Sequence, residues 1–304
     1  MKMYATNTVL FTVVLLSLSG AVMSDQTQAI RALLVDGQMN KHHNMEVMSE
    51  SVTGYLEETG LFEVTRVSTP PPGADMSGFA PNFENFDVVV LNYDGDSWPE
   101  TTQAAFESFI SGGGGLVTVH STDNAFPKWP AFLEMTGVGG WGGRDETWGP
   151  AVYWGDNGIE YDHGPGAAFH PPQHEFPVTI RNGGHPVTEG LSMHWMHGKD
   201  ELYSGLRGPA KNLEVLATGF ADESLENTSG RHEPVLMALA FGEGRIFHTT
   251  LGHVNRNATA APASIQCAGF ITTLQRGAEW AATGNVSQEV PDDFPAGGKL
   301  SIRP

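Results

Sequence analysis

Two histidines stand directly after apolar segments whose pattern is that of buried strands. His120 follows the run 116–119, and His253 follows the strand-like run 245–249 after Gly252, whose flexibility allows a tight turn. A side chain at the end of such a strand points into the crevice where open α/β sheets bind their ligands. Because an imidazole exchanges protons near neutral pH, the pair is predicted to act as acid and base. A structural hydrogen bond to a neighbouring loop is the alternative for His120.

A further group of candidates combines imidazoles with carboxylates. His194 and His197 are three residues apart and precede Asp200 and Glu201. On a helix the two imidazoles would share a face, which makes a divalent metal site an open alternative. A tryptophan and a glycine within the segment argue against that helix. Glu201 joins the two strand-end histidines in the predicted catalytic set, and the metal ligands stay unassigned.

Polar side chains at the ends of two other predicted strands are candidates for binding a substrate. Asp36, His42 and His43 follow the first strand, whereas Tyr93 and Asp94 follow the third. Carboxylates and other polar groups of this kind form paired hydrogen bonds with the neighbouring hydroxyls of a sugar. One of the two adjacent histidines is expected to face the crevice, and the sequence does not decide which one. A helix cap is the alternative for Asp94.

Charged and aromatic side chains are interleaved in the segment 137–172, which is dense in glycine, tryptophan, aspartate and histidine. Arg144 and Glu146 lie close to Trp141 and Trp148. Aromatic faces stack on the C–H surfaces of sugars while charged groups bind the hydroxyls, so the pattern predicts a sugar-binding platform. The length and the lack of periodicity indicate a long insertion over the sheet, and such loops are usually functional or disordered. The many aromatic residues of this insertion favour order.

The elements that must position these residues alternate between strand and helix over the first half of the chain. Strand signals cover 29–35, 62–67, 86–91 and 116–119, and helix signals cover 46–58 and 100–110. Strands that are apolar along their whole length and separated by helices predict a mostly parallel sheet with helices on both faces. Since the carboxyl ends of parallel strands meet at one edge, this fold brings the candidate residues together.

The second half of the chain contains further strand signals and a closing helix. The strand signals cover 176–180, 213–218, 235–241 and 245–249, and the helix signal covers 263–282. We therefore predict one α/β domain over 25–284, followed by a polar tail over 285–304 that is either a strap or disordered. Cys267, the single cysteine, lies in the apolar pattern of the last helix and is predicted to be a buried core thiol.

The N-terminus carries the signature of a secretory signal peptide. Lys2 precedes an apolar run at 9–18 that is followed by the small residues Ser19 and Ala21. This run is shorter than the ~20 residues that a membrane-spanning helix needs, so a membrane anchor is the weaker alternative. We predict a signal peptide over 1–24 and a secreted or periplasmic protein.

The charge balance excludes one broad class of partner. The net charge is −19, with 35 acidic residues against 16 basic ones. A nucleic-acid binder needs a face of lysine and arginine, and an acidic surface also disfavours anionic membranes. The sequence has no P-loop, dinucleotide fingerprint or serine-hydrolase elbow. The glycines at 112–115 precede a strand instead of following one, which is the wrong context for binding phosphate. Uncharged small molecules such as neutral sugars remain as partners that are compatible with this charge.

Short motifs occur in an order that resembles the ThuA-like (trehalose-utilisation) family across nearly the whole of 29–280. They are GGGLVTVHS (113–121), GGR (142–144), HP (170–171), HPVTEGL (185–191), DELY (200–203) and GEGRIFHTTLGH (242–253). The resemblance implies a flavodoxin-like fold related to the class I glutamine amidotransferases. His120 stands where those relatives have a nucleophilic cysteine, which argues against amidotransferase chemistry.

The resemblance also implies site residues and a function. It adds His170 and His185 to the substrate-binding candidates, with a turn-forming role as the alternative for His185. It implies sugar catabolism, so we expect an enzyme that acts on glycosides or 3-keto-sugars by elimination, hydrolysis or isomerisation. The alternative is a non-catalytic carbohydrate-binding protein that uses the same crevice. The sequence leaves open whether the protein binds a divalent metal, the one cofactor considered, and whether it forms a homo-oligomer.

Overall fold

A computed structural model describes residues 1–3 and 28–303 of the chain. The apolar run of the predicted signal peptide, at 9–18, lies outside the described residues. Within the described ranges, no helix is both long and apolar enough to cross a membrane.

Among the described residues, eleven strands form one sheet and five α-helices accompany it. The strands are β1 (Ile30–Asp36), β2 (Phe62–Ser68), β3 (Val88–Leu91), β4 (Gly115–Val119), β5 (Ala151–Gly155), β6 (Gly158–Asp162), β7 (His174–Ile180), β8 (His194–Asp200), β9 (Glu214–Phe220), β10 (His232–Phe241) and β11 (Gly244–Thr249). The helices are α1 (Met45–Glu57), α2 (Glu100–Ser111), α3 (Pro130–Thr136), α4 (Ala263–Gln266) and α5 (Ala268–Thr283).

The sheet is mixed, because only one half of it is parallel. The strand order is β2-β1-β3-β4-β11-β10-β9-β7-β8, with β5 paired to β10 and β6 paired to β5. Neighbours from β2 to β11 run parallel, whereas every pairing beyond β11 is antiparallel. The prediction of a mostly parallel sheet was therefore wrong for the second half. The two-residue link Gly242–Glu243 between β10 and β11 shows why, since only antiparallel neighbours can be joined so tightly.

Side chains of the parallel strands alternate between two buried clusters. In β1, Ala32 and Leu34 pack into the cluster that contains α1 and α5, while Leu33 and Val35 pack into the cluster that contains α2. All four side chains are fully buried. Burying a leucine or valine side chain contributes about 1.5–3 kcal/mol, so helices on both faces make these strands a firm support for the residues at their ends.

Two regions differ from their sequence patterns. Within 137–172, β5 and β6 form a hairpin whose first strand pairs with β10, so the segment is ordered. The segment that carries His194 and His197 is strand β8 and not a helix, paired with β7 and burying Trp195 and His197 on one side. Period-two burial and sheet pairing therefore prevailed over the helical spacing of the two histidines.

The end of the chain folds back onto the domain. The closing helix is interrupted at Cys267, whose extended backbone separates α4 from α5 and whose side chain is buried, as predicted. In the tail, Phe294 packs against Trp195, and the backbone N–H of Met196 donates to the carbonyl of Lys299. The described part of the tail is therefore a strap across β8.

Candidate active site

His120 follows strand β4 directly and begins a short 3-10 turn, His120–Asn124. Its φ of 40° lies in the left-handed region, which is costly for a residue with a side chain. Its Nδ1 lies 2.7 Å from the carbonyl oxygen of Thr250. Because a carbonyl only accepts, Nδ1 carries the proton and Nε2 presents a lone pair. The hydroxyl of Tyr203 donates to that lone pair at 2.7 Å.

His253 reaches the same point from the end of β11 through a glycine turn. Gly252 has a φ of 114°, and a Cβ added there would lie 2.8 Å from Cε of Met48, so the turn requires glycine. The backbone N–H groups of Gly252 and His253 donate to the Asp200 carboxylate at 2.7 and 2.9 Å. Asp200 therefore fixes the turn that aims the imidazole.

Glu201 joins these two histidines and a third in one cluster. Its Oε2 lies 3.0 Å from Nδ1 of His253 and 3.9 Å from Nε2 of His120, and those two nitrogens are 3.1 Å apart. One donor atom from each of His43, His120, Glu201 and His253 lies within 4.8 Å of all the others. We call these four residues the His–Glu cluster.

The adjacent histidines of the first loop have different surroundings. The buried ring of His43 packs edge-on against those of His120 and His253, at centroid distances of 5.2 and 4.9 Å. Its Nδ1 lies 3.2 Å from Oδ1 and 3.0 Å from Nδ2 of Asn40. Its Nε2 is buried and has no hydrogen-bond partner among the described residues. His42, in contrast, is exposed.

The start of α1 holds this loop in place. Asn44 caps the helix by accepting from the backbone N–H of Val47 at 3.2 Å, and its side-chain amide donates to the carbonyl of Ala258 at 2.9 Å. Its own backbone N–H donates to the carbonyl of Val254 at 2.9 Å. The cap therefore ties the loop that carries His43 to the segment that follows His253.

The charges within the cluster are distributed unequally. Burial and the neighbouring imidazoles lower the pKa of His43 to about 2, and burial also lowers the pKa of His120. Burial acts against the charged forms of Glu201 and His253 as well, but their mutual hydrogen bond and the opposite charges around them together outweigh it. As a result the pKa of Glu201 falls to about 2 and the pKa of His253 rises. Positive charge is thus favoured on His253 and disfavoured on the other two imidazoles.

The cluster lies at the floor of a cavity of about 330 Å³ at the carboxyl ends of the parallel strands. The lining residues are Lys41, His42, His43, Asp94, Asn124, Trp141, Gly142, His170, Glu201 and Tyr203. His43 and Glu201 are the two cluster members in the lining, and His120 and His253 lie behind them. A molecule in the cavity therefore meets the cluster from one side.

Two predicted binding residues join Glu201 in the cavity wall. Asp94 accepts from Nδ2 of Asn40 at 2.9 Å, and burial raises the pKa of its carboxyl group. His170 has its Nε2 3.6 Å from Oε2 of Glu201, while its Nδ1 donates to the carbonyl of Pro171 at 2.8 Å. Asp94, His170 and Glu201 thus place three proton-exchanging groups around one space.

Two predicted binding residues lie inside the protein near the sheet. Asp36 is buried and pairs with Nε of Arg66 at 2.6 Å, and it accepts from the hydroxyl of Ser68 at 2.6 Å. Tyr93 is fully buried, and its hydroxyl donates to the carbonyl of Asp96 at 2.6 Å. Both side chains hold loops next to the cavity without lining it.

The remaining three predicted binding residues also lie outside the cavity lining. The buried guanidinium of Arg144 donates to the backbone carbonyls of Gly140 and Ala125, each at 2.8 Å, and thereby folds the insertion. Glu146 is exposed and accepts from the backbone of Gly166. His185 packs against Trp280 of α5, 4.6 Å between ring centroids, and does not line the cavity.

Sequence reasoning missed Tyr203, Asn40 and Asn124 as cavity residues or their supports. Tyr203 stacks on the ring of His120 at a centroid distance of 4.4 Å, and burial raises the pKa of its phenol, so the hydroxyl stays a donor. Its position two residues after Glu201, within the motif DELY, was an available signal. Asn40 supports both His43 and Asp94, and only the folded loop reveals that double role.

The fold and the site together define a class of protein. It is an α/β protein with a mixed sheet whose strand-end cavity is floored by three imidazoles and one carboxylate. The family model ThuA, described as trehalose utilisation, matches residues 31–281. The chain therefore belongs to the ThuA family, as its motifs predicted, and that family links it to carbohydrate metabolism.

Solved structures agree with this assignment. A ThuA-like protein from Parabacteroides merdae is 45% identical, with a TM-score of 0.87 over 91% of this chain and 98% of that one. A ThuA-like protein from Bacteroides uniformis is 16% identical, with a TM-score of 0.57 over 88% of this chain and 97% of that one, and shows the shared fold alone. Among curated proteins, none matches this chain significantly.

Proposed function

We propose that this protein is an enzyme that processes glycosides or 3-keto-sugars in the cavity above the His–Glu cluster. The observation that carries the proposal is the placement of three imidazoles and a carboxylate beneath a polar cavity. The family description of trehalose utilisation supports a sugar as the substrate. The parallel strands follow the order β2-β1-β3-β4-β11, which supports the flavodoxin-like arrangement that the family resemblance implies, and open sheets of this kind bind ligands at the carboxyl ends of their strands.

The cavity has the surface that a neutral sugar needs. Its volume of about 330 Å³ falls at the lower end of the range for small-molecule sites. Trp141 supplies an aromatic face for the C–H surface of a ring, and Asp94, Asn124 and His170 supply acceptors and donors for hydroxyls. This pairing of one aromatic face with several polar groups favours an uncharged, hydroxyl-rich ligand.

A 3-keto-glycoside is a substrate that proton transfer alone can cleave. The ketone at C3 acidifies the C–H bond at C2, and a base removes that proton. The C–H electron pair forms a C1=C2 double bond while the C1–O bond breaks, and an acid protonates the departing oxygen. Addition of water across the double bond then gives the 3-keto-sugar, so the net reaction is hydrolysis.

The cavity provides the groups for these steps. Glu201 is ionised well below neutral pH, because its pKa is lowered to about 2, and it faces the cavity as an acceptor. Asp94, with its raised pKa, and His170 face the same space and can exchange protons with a bound sugar. The acid–base roles of His120 and His253 remain predictions. Because neither residue lines the cavity, the two imidazoles would exchange protons with a bound sugar through Glu201.

Turnover of a panel of 3-keto-disaccharides, with their unoxidised parents, tests the proposal. The wild-type protein should cleave or isomerise at least one 3-keto member, and Glu201→Gln should lower kcat/KM by at least about 100-fold. Glu175→Gln is the matched control, because Glu175 is exposed on β7 and outside the cavity lining. Saturable binding across the panel with no turnover by the wild type would contradict the enzyme and support the carbohydrate-binding protein.

A further inference from the structure

The ring nitrogens of the His–Glu cluster are oriented as they are in metal centres. In His120, Nδ1–H donates to the carbonyl of Thr250, which leaves Nε2, the acceptor of the Tyr203 hydroxyl, as a lone pair directed at the cluster. In His253, Nε2 lies 3.2 Å from Oδ1 of Asn255 and can keep its proton there, so that a bound ion replaces only the Nδ1 proton shared with Glu201. Metal-bound histidines characteristically donate their second N–H to such a carbonyl, amide or carboxylate.

His43 supplies the strongest single observation. Its side chain is 6% exposed, and its Nε2 is buried without a hydrogen-bond partner among the described residues. Its Nδ1 lies 3.2 Å from Oδ1 and 3.0 Å from Nδ2 of Asn40, and the tautomer in which Nδ1–H donates to Oδ1 leaves Nε2 as a lone pair. A buried nitrogen without a partner costs free energy unless something binds it. Together with Glu201, the three imidazoles offer four donor atoms around one point.

The distances between donors fit a small divalent ion. Ligands at about 2.0–2.1 Å from a tetrahedral zinc ion lie roughly 3.3 Å from one another. In the cluster, Nδ1 of His253 is 3.1 Å from Nε2 of His120 and 3.0 Å from Oε2 of Glu201, and no donor pair exceeds 4.8 Å. Imidazole nitrogens favour zinc and its neighbours over Mg²⁺, which prefers oxygen ligands.

We propose that His43, His120, His253 and Glu201 hold one divalent transition-metal ion of the zinc type. The ion is reachable from the cavity, because His43 and Glu201 belong to its lining. Ion binding stands independently of any substrate. The use of the ion, to polarise the ketone or a hydroxyl of the sugar, rests on the proposed function. With the four cluster residues engaged as ligands, Asp94 and His170 carry the proton transfers.

Metal content and affinity of the full chain test the site without any activity measurement. After chelator treatment, the wild type should take up one Zn²⁺ per chain, measured by elemental analysis, with a rise in unfolding temperature that Mg²⁺ does not produce. His43→Gln and Glu201→Gln should each weaken Zn²⁺ binding by at least about 100-fold, since even supporting residues around a metal contribute 10–100-fold. His42→Gln is the matched control from the same loop and should keep one ion per chain.

Each outcome decides between the two proposals. Equal Zn²⁺ uptake by the wild type and His43→Gln, or no uptake by the folded wild type, would overturn the metal site. Zinc binding lost in both cluster variants, while each keeps the native circular dichroism spectrum, would confirm it. Turnover by a metal-free protein would show that the reaction does not use the ion, and the proposed function would stand. One bound Zn²⁺ without turnover of any sugar would support the metal site and contradict the proposed function.

Discussion

Two buried groupings of histidine and carboxylate lie at the edge of the parallel strands and differ in how their partners are arranged. In one, Nδ1 of His248 lies 2.8 Å from the carbonyl of Thr136 and Nε2 contacts the Asp123 carboxylate. Both nitrogens face acceptors, and both side chains are fully enclosed. In the His–Glu cluster, three imidazoles face one another and one carboxylate, one nitrogen has no partner, and a cavity opens beside them.

The difference shows that the burial of a histidine does not by itself indicate a functional site. Burial lowers the pKa of His248, but the Asp123 carboxylate more than offsets it, so the pKa of His248 is raised and both of its ring nitrogens face an acceptor. The second oxygen of Asp123 has no hydrogen-bond partner among the described residues. The cluster brings together more imidazoles than its single carboxylate can satisfy. A bound cation or proton would stabilise such an arrangement, whereas His248 already has the Asp123 carboxylate as its partner.

The largest expected effect is a loss of folding stability when the His248–Asp123 pair is broken. Asp123→Ala leaves the imidazole of His248 buried without its carboxylate, so the free energy of unfolding should fall by about 3–5 kcal/mol. Urea denaturation measures it, with the exposed Asp156→Ala as the control. Glu201→Gln should cost less stability in the metal-free protein, because Glu201 borders the cavity whereas Asp123 is fully enclosed. A larger stability loss in Glu201→Gln than in Asp123→Ala would invalidate the contrast.

Glu233 is a buried carboxyl group that is not paired with an imidazole, and it gives a second test of how burial acts on a charged group. Burial raises the pKa of Glu233 to about 7. A raised carboxyl pKa means that its stabilising contribution is present below the unfolded value of about 4.5 and is lost as the pH rises to about 7. Across that window Glu233 should cost up to about 3 kcal/mol of stability relative to Glu233→Gln. Parallel pH curves for the two proteins, from urea denaturation, would refute the assignment.

The proton-transfer roles at the cavity predict a smaller effect, on activity. Asp94→Asn keeps the shape of the side chain and removes its exchangeable proton, so kcat/KM should fall by about 100-fold. Steady-state kinetics with the best 3-keto-sugar measures it, with Asp156→Asn as the control. Full activity in Asp94→Asn combined with its loss in His170→Gln would transfer the role to His170.

The smallest effect is expected from the aromatic wall. Trp141→Ala removes the face on which a sugar ring would stack, so KM should rise about three- to tenfold while kcat changes little. Trp148→Ala is the matched control, since Trp148 belongs to the same insertion and contacts Arg144 instead of the cavity. Equal rises in KM for both variants would mean that the two tryptophans affect binding only through the structure of the insertion, and that the sugar does not stack on Trp141.

The sequence predicted the parts of the site that follow from strand ends. His120 and His253 meet because β4 and β11 are parallel neighbours, and the carboxyl ends of such strands share an edge. The same rule brought His43 and Asp94 close, although spacing alone did not distinguish His43 from His42. The distinction depends on the Asn44 cap, which turns one ring inward.

The rest of the site depended on pairings that local pattern does not encode. Glu201 and Tyr203 follow β8, an antiparallel strand four positions beyond β11 in the sheet, and nothing in their spacing specifies that neighbourhood. Arg144 has the charge expected of a sugar ligand, but backbone carbonyls of the folded insertion satisfy its guanidinium. Such backbone partners exist only after the loop has folded, so residue type alone misassigns the side chain.

The central claim is that a sugar loses and gains protons above the His–Glu cluster. Proton exchange in D2O measures this most directly, by following a 3-keto-glycoside with NMR in the presence of the full chain. Deuterium should appear at the carbon next to the ketone, in recovered substrate or in product, with the wild type and with Glu175→Gln but not with Glu201→Gln. Binding of the sugar to the wild type with no deuterium uptake and no product would contradict it.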